Sequence, residues 1–464
     1  MGGYVSSAGQ NRWLWAMVLV HVFLTPFFFE FDNLPFRLTT TDLLAALIVL
    51  LWLTNRIRRQ PGRASPPLLF PTLLFVGAHF LAILPATDRV VALREAVKIA
   101  GIFAVFFAVA DTVRTADQRR TLAWVLTLAG AIVSGLAIVE AFRGPAGWSY
   151  AGTRPVVTMG SPNTVGAYLA SIFPVSLSLL YQAILERSRL GARATIGLSL
   201  ALMAIALAVS LSRGSWISLL VALPIVVVVL AGHRDGRAVL IGTLIALVAT
   251  GVVVGAVLLA RSGPGSNVLH TLTRRAVSIV SLDSAGDRVR WMMLRASWAM
   301  FLDNPWLGVG PGNFQSRLPA YIRPTGSVEK QLVPLALELE FPHNLPLHVA
   351  AEGGIVGLAS LAVWVTSMFI QYARRLHEAR RWVTKEALTN NLLTAGGFAG
   401  VVAALVGSLF GYPFVHHVWE PFVYAMVLGV AEPPAAEVPV RGTTQGIGST
   451  ASTSSELQGG GLPS

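Results

Sequence analysis

The chain has no cysteine among its 464 residues, which excludes disulfides and any thiol-based metal or nucleophile chemistry. Charge is also scarce: Asp, Glu, Lys and Arg make up 12% of the residues, where a soluble domain carries about 25%. Acid is the rarer sign, 23 residues against 35 basic ones, for a net charge of +12. Neither an HExxH nor a DxD motif occurs. "GVGPGNF" (Gly308–Phe314) has no strand before it and no Lys-Ser/Thr after it, so it reads as a turn rather than a phosphate loop.

Apolar sequence takes the place of charge, with 54% hydrophobic residues and a mean hydropathy of +0.63. Runs long enough for a hydrocarbon core about 30 Å thick lie near 13–29, 39–54, 68–84, 91–110, 121–142, 163–184, 195–211, 215–231, 238–260, 344–371, 391–410 and 418–431. The pattern predicts an all-α polytopic integral membrane protein with about twelve transmembrane helices and one large loop containing amphipathic helix. Nine helices fall in 1–260, the loop domain in 261–343, and three helices in 344–431. The Gly/Ser/Thr-rich tail 432–464 reads as disordered. The first span is expected to be retained, because Phe27–Glu30 stand where a cleavage site needs small residues. No sizeable soluble domain is expected before or after the spans.

Basic residues are dense in alternate connections, at Arg56–Arg63, Arg187–Arg193 and Arg374–Lys385. The short loops of the other side hold Arg37, Arg89, Arg143, Arg154 and Arg213. The positive-inside rule then puts both termini and the tail in the cytoplasm and the long loop outside. Membrane lipid, not nucleic acid, accounts for the basic balance.

Arg213 stands out against this background. A single helix over 195–231 would run about 55 Å at roughly 1.5 Å per residue, too long for one crossing. A turn at Ser212-Arg213-Gly214-Ser215 makes two spans and sets the arginine at the outer surface. Snorkelling to lipid phosphate is one role for it there; holding a phosphate substrate is another.

In the long loop, a helix is predicted from about Asp287 to Leu302, with Asp283 or Ser284 as N-cap and Asn304-Pro305 as the stop. Trp291, Leu294, Trp298 and Phe301/Leu302 recur at helical spacing with Arg288 and Arg295 beside them, the pattern of a helix at a membrane interface, and the Trp/Leu stripe reads as its structural apolar face. Arg288 and Arg290 in the first turn oppose the helix dipole, so an anion is expected to compensate them.

After the loop, Asn344 is a candidate N-cap and Pro346 fits a first turn. His343 then lies against a helix N-terminus, which favours a neutral, proton-accepting imidazole. Ala350, Ala351, Gly353 and Gly357 offer a small-residue face for close helix contact. His348 and Glu352, four apart, share a helix face, whereas His343 and His348 do not. Glu338 and Glu340 form an ExE that offers a divalent cation a weak site, and His416 and His417 are ambiguous. Ser161 and Pro162 suit the N-cap and N1 of the sixth span, with Asn163 next and free amides open to an anion, although capping alone suffices. Arg94 and Lys98 share a face of the fourth span with Glu95 beside them, a functional set by default unless Glu95 merely neutralises it.

"SLSRGSW" at the hairpin, "GDRVRWMMLRASWAMFLDNPWLGVGPGNF" in the loop, and His343-Asn344 followed after nine residues by Gly354-x-x-Gly357 together resemble the bacterial O-antigen ligase and polymerase superfamily. The resemblance covers roughly residues 155–360. It implies a GT-C-like membrane enzyme of the bacterial inner membrane with its active site facing the periplasm. Such an enzyme moves glycan from undecaprenyl diphosphate, and the His-Asn pattern implies an O-antigen ligase with lipid A-core as acceptor. His343, Asn344, Gly354 and Gly357 match the family's ligase pattern; joined to the residue chemistry above, this gives His343, Arg213 and Arg288 as catalytic candidates, Arg290, Asn344, Ser161, Asn163, Arg94 and Lys98 as substrate-binding candidates, and an expectation of no cofactor or metal. The alternatives are a polymerase or a protein O-oligosaccharyltransferase using the same donor and, from another class, a lipid or solute transporter. A transporter calls for internal repeats or midplane ions, whereas most of the unusual residues here collect at one surface.

Overall fold

The structure, a computed structural model, describes residues 7–27, 39–57, 68–143, 155–157, 159–231, 285–339, 341–380, 385–410 and 419–430. The expected span 238–260, the N-cap candidates Asp283 and Ser284, Arg37, Arg154, Glu340, His416, His417 and the tail lie outside the described residues. Fourteen helices and no strand occur among those described. The first eight are α1 (Ser7–Leu24), α2 (Thr40–Ile57), α3 (Leu69–Leu81), α4 (Arg89–Thr112), α5 (Ala116–Arg143), α6 (Pro162–Leu185), α7 (Leu190–Ser210) and α8 (Arg213–Ala231). The long loop contributes α9 (Ala285–Asp303), α10 (Phe314–Tyr321) and α11 (Ser327–Leu337). The chain continues as α12 (Leu345–Arg380), α13 (Lys385–Gly407) and α14 (Trp419–Val430).

A helix stands at each expected span that falls among the described residues. By length and composition, six can cross a membrane: α2, α5, α6, α7, α8 and α12. Shorter apolar helices lie at Arg12–Leu24, Leu69–Leu81 and Asn391–Gly407. The protein is therefore a helical membrane protein. α6 is its central element, buried along nearly its whole length from Val165 to Leu185. α13 lies directly against it at Gly396 and Gly400, where an added Cβ would meet Ser178 and the Ser171 carbonyl; small residues permit such approach where helices pack by van der Waals contact.

The loop helices have a second apolar core of their own. Val289, Met292, Met293, Ala296 and Met300 of α9 pack with Val309, Phe314, Leu318, Ile322 and Ala336, and the cluster sits on Ala351 of α12. The face of α9 that packs on the protein is the one opposite the Trp/Leu stripe expected at a membrane interface. Trp291, Trp298 and Leu302 are 53%, 50% and 58% exposed, so the methionine face is the core and the tryptophan face looks outward. The two faces have the same helical period, and the flexible methionines fill the irregular space between three short helices better than indoles do.

The turn "GVGPGNF" joins this layer to α12. At Gly354 the α12 backbone leaves the helix, with φ 60 and ψ −156, a conformation open to glycine alone. The break strands backbone groups, and the segment after α9 satisfies them. Val309 N donates to Ala351 O (2.9 Å), Gly310 N to Glu352 O (3.0 Å), Ile355 N to Pro305 O (2.8 Å) and Val356 N to Trp306 O (3.3 Å). A side chain at Gly354 would collide with the Trp306 and Leu307 backbone, and one at Gly308 with that of Ala351 and Glu352. The close approach therefore uses Gly354 rather than Gly353, which has open space around it. The far side of the same turn docks on the start of α4, where Asn313 Oδ1 accepts from Asp88 N (2.9 Å) and Asn313 Nδ2 donates to Asp88 O (3.1 Å).

Candidate functional site

The site begins at the α7–α8 hairpin. α7 ends at Leu211 in the left-handed conformation (φ 52), and α8 starts two residues on with Arg213. The turn is therefore Leu211-Ser212, slightly earlier than the predicted Ser212–Ser215. Serine hydroxyls hold it: Ser212 N donates to Ser210 Oγ (3.3 Å), and Ser215 Oγ donates to Ser212 Oγ (2.8 Å). Trp216 Nε1 ties α8 back to Leu207 O (2.8 Å). Ser212 and Ser215 lie against Gly166 of α6, and Gly214 lies against Phe410 in the turn after α13. That turn also holds the start of α12, since Leu345 N donates to Ser408 O (2.9 Å) and Asn344 Nδ2 to Leu409 O (3.4 Å). Four distant stretches of chain thus meet around Arg213.

Asp287, in the first turn of α9, enters from the loop layer. Its Oδ1 accepts from Arg213 Nη2 in an ion pair whose side chains are 10% and 4% exposed, and it lies 3.9 Å from Arg290 Nη1. A carboxylate suits the positive end of a helix, and here it compensates arginines from two elements. Two guanidinium groups thus meet at one carboxylate, the Arg213–Asp287 pair withdrawn from water and Arg290 partly exposed, and guanidinium groups so placed suit bidentate contact with an anion.

His343 completes the group. Its backbone is left-handed (φ 56), a conformation that costs a non-glycine residue roughly 1–2 kcal/mol. The Asn344 cap fixes it there: Asn344 Oδ1 accepts from Leu347 N (3.0 Å) and its carbonyl from His348 N (2.9 Å). The half-buried ring packs edge-on against Phe341, with 5.0 Å between centroids. Burial, and then the Arg290 charge, push its pKa down to about 4. At neutral pH the imidazole is uncharged and can take a proton.

The structure brings Arg213, Arg290 and His343 together, with Asn344 as the cap beside them. Ser161 caps α6, its hydroxyl accepting from Asn163 N (3.2 Å), one turn from the Gly166 contact with the hairpin. Arg288 projects from the exposed face of α9, on the same side as Trp291 and away from Asp287. Arg94 and Lys98 form a separate group on α4, 3.5 and 3.4 Å from Glu95, against the Gly312 end of the glycine turn. Glu338 terminates α11, and among the described residues no group of three His, Cys, Asp or Glu is arranged to hold a metal ion.

Sequence reasoning missed two carboxylate roles. Asp287 appeared only as a helix start, although its position three residues before Arg290 carried the signal of a same-face pair. Glu352 is buried, 3.2 Å from His348 Nε2, and its Oε1 accepts from Phe314 N (3.0 Å). It pins the glycine turn to α12, a role with no local signal because Phe314 is remote in sequence.

A bundle of apolar helices thus carries a small helical layer, with two arginines sharing one carboxylate and a histidine of lowered pKa at the seam. The chain carries an O-antigen ligase family region: that family's model matches residues 198–362, a span containing Arg213, Asp287, Arg290, His343 and the Gly354 break. The matched region is what the chain shares with that family, whose members are described as O-antigen ligases. No curated protein matches the chain.

Proposed function

We propose that the protein is an O-antigen ligase, transferring glycan from undecaprenyl diphosphate to a sugar hydroxyl of lipid A-core at the periplasmic surface of the inner membrane. His343 takes the proton of the acceptor hydroxyl. The oxygen attacks the anomeric carbon from the side opposite the diphosphate, the carbon–oxygen bond to phosphate breaks, and undecaprenyl diphosphate leaves with the electron pair. The anomeric centre inverts. Arg213 and Arg290 receive the charge that accumulates on the departing phosphate, a role in which one preorganised donor is commonly worth about 3–4 kcal/mol. Arg290 takes the place first given to Arg288, because Arg290 shares Asp287 with Arg213 while Arg288 faces away. Asp287 holds the guanidiniums in position until the diphosphate replaces it as their partner. Ser161 and Asn163, at the α6 N-terminus beside the hairpin, flank the donor phosphate; Arg94 and Lys98 serve the lipid phosphate region further along the surface.

The observation that carries this reading is one carboxylate shared by two arginines from distant elements, beside a histidine whose basicity is suppressed. The test mixes the purified protein in liposomes with undecaprenyl-diphosphate glycan and lipid A-core. A glycan–core conjugate is expected, and it should be lost in Arg213→Ala and His343→Ala proteins that remain folded. Elongated carrier-linked glycan without conjugate would identify a polymerase instead, and normal conjugate from both variants would overturn the assignment of the site.

A further inference from the structure

Apart from Arg295, which pairs with Glu329 of α11 (2.7 Å), the outer face of α9 is exposed among the described residues. Arg288, Trp291, Trp298 and Leu302 are exposed along one side at helical spacing, and Trp306 just beyond the helix is 73% exposed. Monomeric soluble surfaces rarely gather large apolar side chains in this way. The face could take a second copy of the chain, a glycan or a membrane surface.

The ends of α9 decide between them. The N-terminal end is fixed by Asp287 to Arg213, the first residue of the membrane-crossing helix α8. The C-terminal end is fixed through Pro305 and Trp306 to Ile355 and Val356, inside the apolar stretch of α12 and beyond Leu345, which pairs with the Ser408 turn at the head of the bundle. α9 therefore runs from the head of α8 at its arginine end to α12 at its tryptophan end. Ile355, bonded to the Trp306 segment, is itself an exposed apolar side chain of α12, so the exposed surface is continuous from α12 onto the α9 stripe. Tryptophan favours the headgroup level, where an apolar ring with one polar N–H is partly wet, and an arginine at the other end of the stripe suits lipid phosphate.

We propose that this stripe is a membrane-docking surface: Trp291, Trp298, Leu302 and Trp306 rest in the headgroup region of the leaflet on the Arg213 side, with Arg288 on lipid phosphate. The loop layer is thereby held down over the bundle, which keeps Asp287 and Arg290 at the level of Arg213. The proposal concerns where the helix lies and stands apart from the transfer reaction.

The absence of cysteine makes the test direct. Single cysteines at Trp291, Trp298 and Leu302, introduced one at a time so that the rest of the stripe remains, are labelled with a nitroxide in liposomes of phosphatidylethanolamine and phosphatidylglycerol. Collision with oxygen should exceed collision with a water-soluble nickel chelate at all three positions. Chelate collision dominating at all three would overturn the proposal, as would spin–spin broadening between labelled molecules, which identifies a second copy as the occupant. As an independent check that leaves positions 291, 298 and 302 unlabelled, lipids brominated on the acyl chain near the headgroup should quench the wild-type tryptophan emission more than that of the Trp291→Leu/Trp298→Leu double variant. Equal quenching of the two proteins would contradict docking.

Discussion

Among the described residues three carboxylates each take two cations, Asp111 between Arg56 and Arg114 being one; the other two, on α4 and at the seam, differ from each other in nearly everything else. On α4, Arg94 and Lys98 flank Glu95 within one turn of one helix, with Arg94 nearly half exposed. At the seam, Arg213 of α8 and Arg290 of α9 share Asp287, with the Arg213–Asp287 pair almost fully withdrawn from water. Exposed pairs of the first kind contribute about 0–1 kcal/mol. In the second, losing one partner strands a buried charge, at a cost of about 3–5 kcal/mol. Only the second has a neutral imidazole beside it. Stoichiometry of charge does not make a site; burial and convergence of separate elements do.

The largest break in this comparison is expected from Arg213→Ala. Transfer should fall about 10²–10³-fold, the scale of losing one preorganised donor. Thermal unfolding in detergent should show a loss of stability as well, because Asp287 loses its nearest partner. The double variant Arg213→Ala/Asp287→Ala should regain much of that stability while staying inactive, which separates the two effects. Next is Gly354→Ala. Its backbone conformation is essentially closed to alanine and the added Cβ would meet the Trp306 backbone, so this variant should show a marked fall in melting temperature, larger than Gly353→Ala, where the space is open.

Glu352→Ala leaves the Phe314 amide and His348 without their carboxylate, and a buried group so stranded costs about 1–3 kcal/mol. Protease cleavage of the loop layer should accelerate more than global unfolding does.

A smaller but more diagnostic effect is the pH profile. His343 must be neutral to accept a proton, and with its pKa pushed down to about 4 the rate should hold through mildly acidic pH and fall only near 4. An ordinary histidine would lose activity near 6.5. Arg290→Gln removes the like charge that is the second cause of the depression, so the acid limb should move upward. It should move only part of the way, because burial is the first cause and remains. The smallest effect is expected from Arg94→Ala, a stability change within about 1 kcal/mol and a modest change in transfer.

The positions of the helices were legible in the sequence because apolar runs of spanning length have few other interpretations. Arg213 was legible because the stretch around it is too long for one crossing, and Asn344 and Ser161 because caps are local chemistry. The methionine core of α9 was not. The Trp/Leu stripe was read as an interfacial face, and nothing local announces that the methionine face packs on the neighbouring loop helices. The choice between Arg288 and Arg290 depended on that same packing. Gly353 and Gly354 are equivalent in a sequence, and only the backbone break distinguishes them. The Glu352 contact with Phe314 and the Asp287 contact with Arg213 join residues far apart in the chain, so no local pattern could announce them.

The central claim is that Arg213 and His343 act on one bond as parts of one site. A double-mutant cycle on the transfer rate tests it most directly, using Arg213→Ala, His343→Ala and the double variant in proteins shown to be folded. Groups that work as a unit are strongly non-additive, so the double variant should be about as slow as the slower single variant. Losses that simply multiply would mean that the two residues act independently, and the shared site would have to be abandoned.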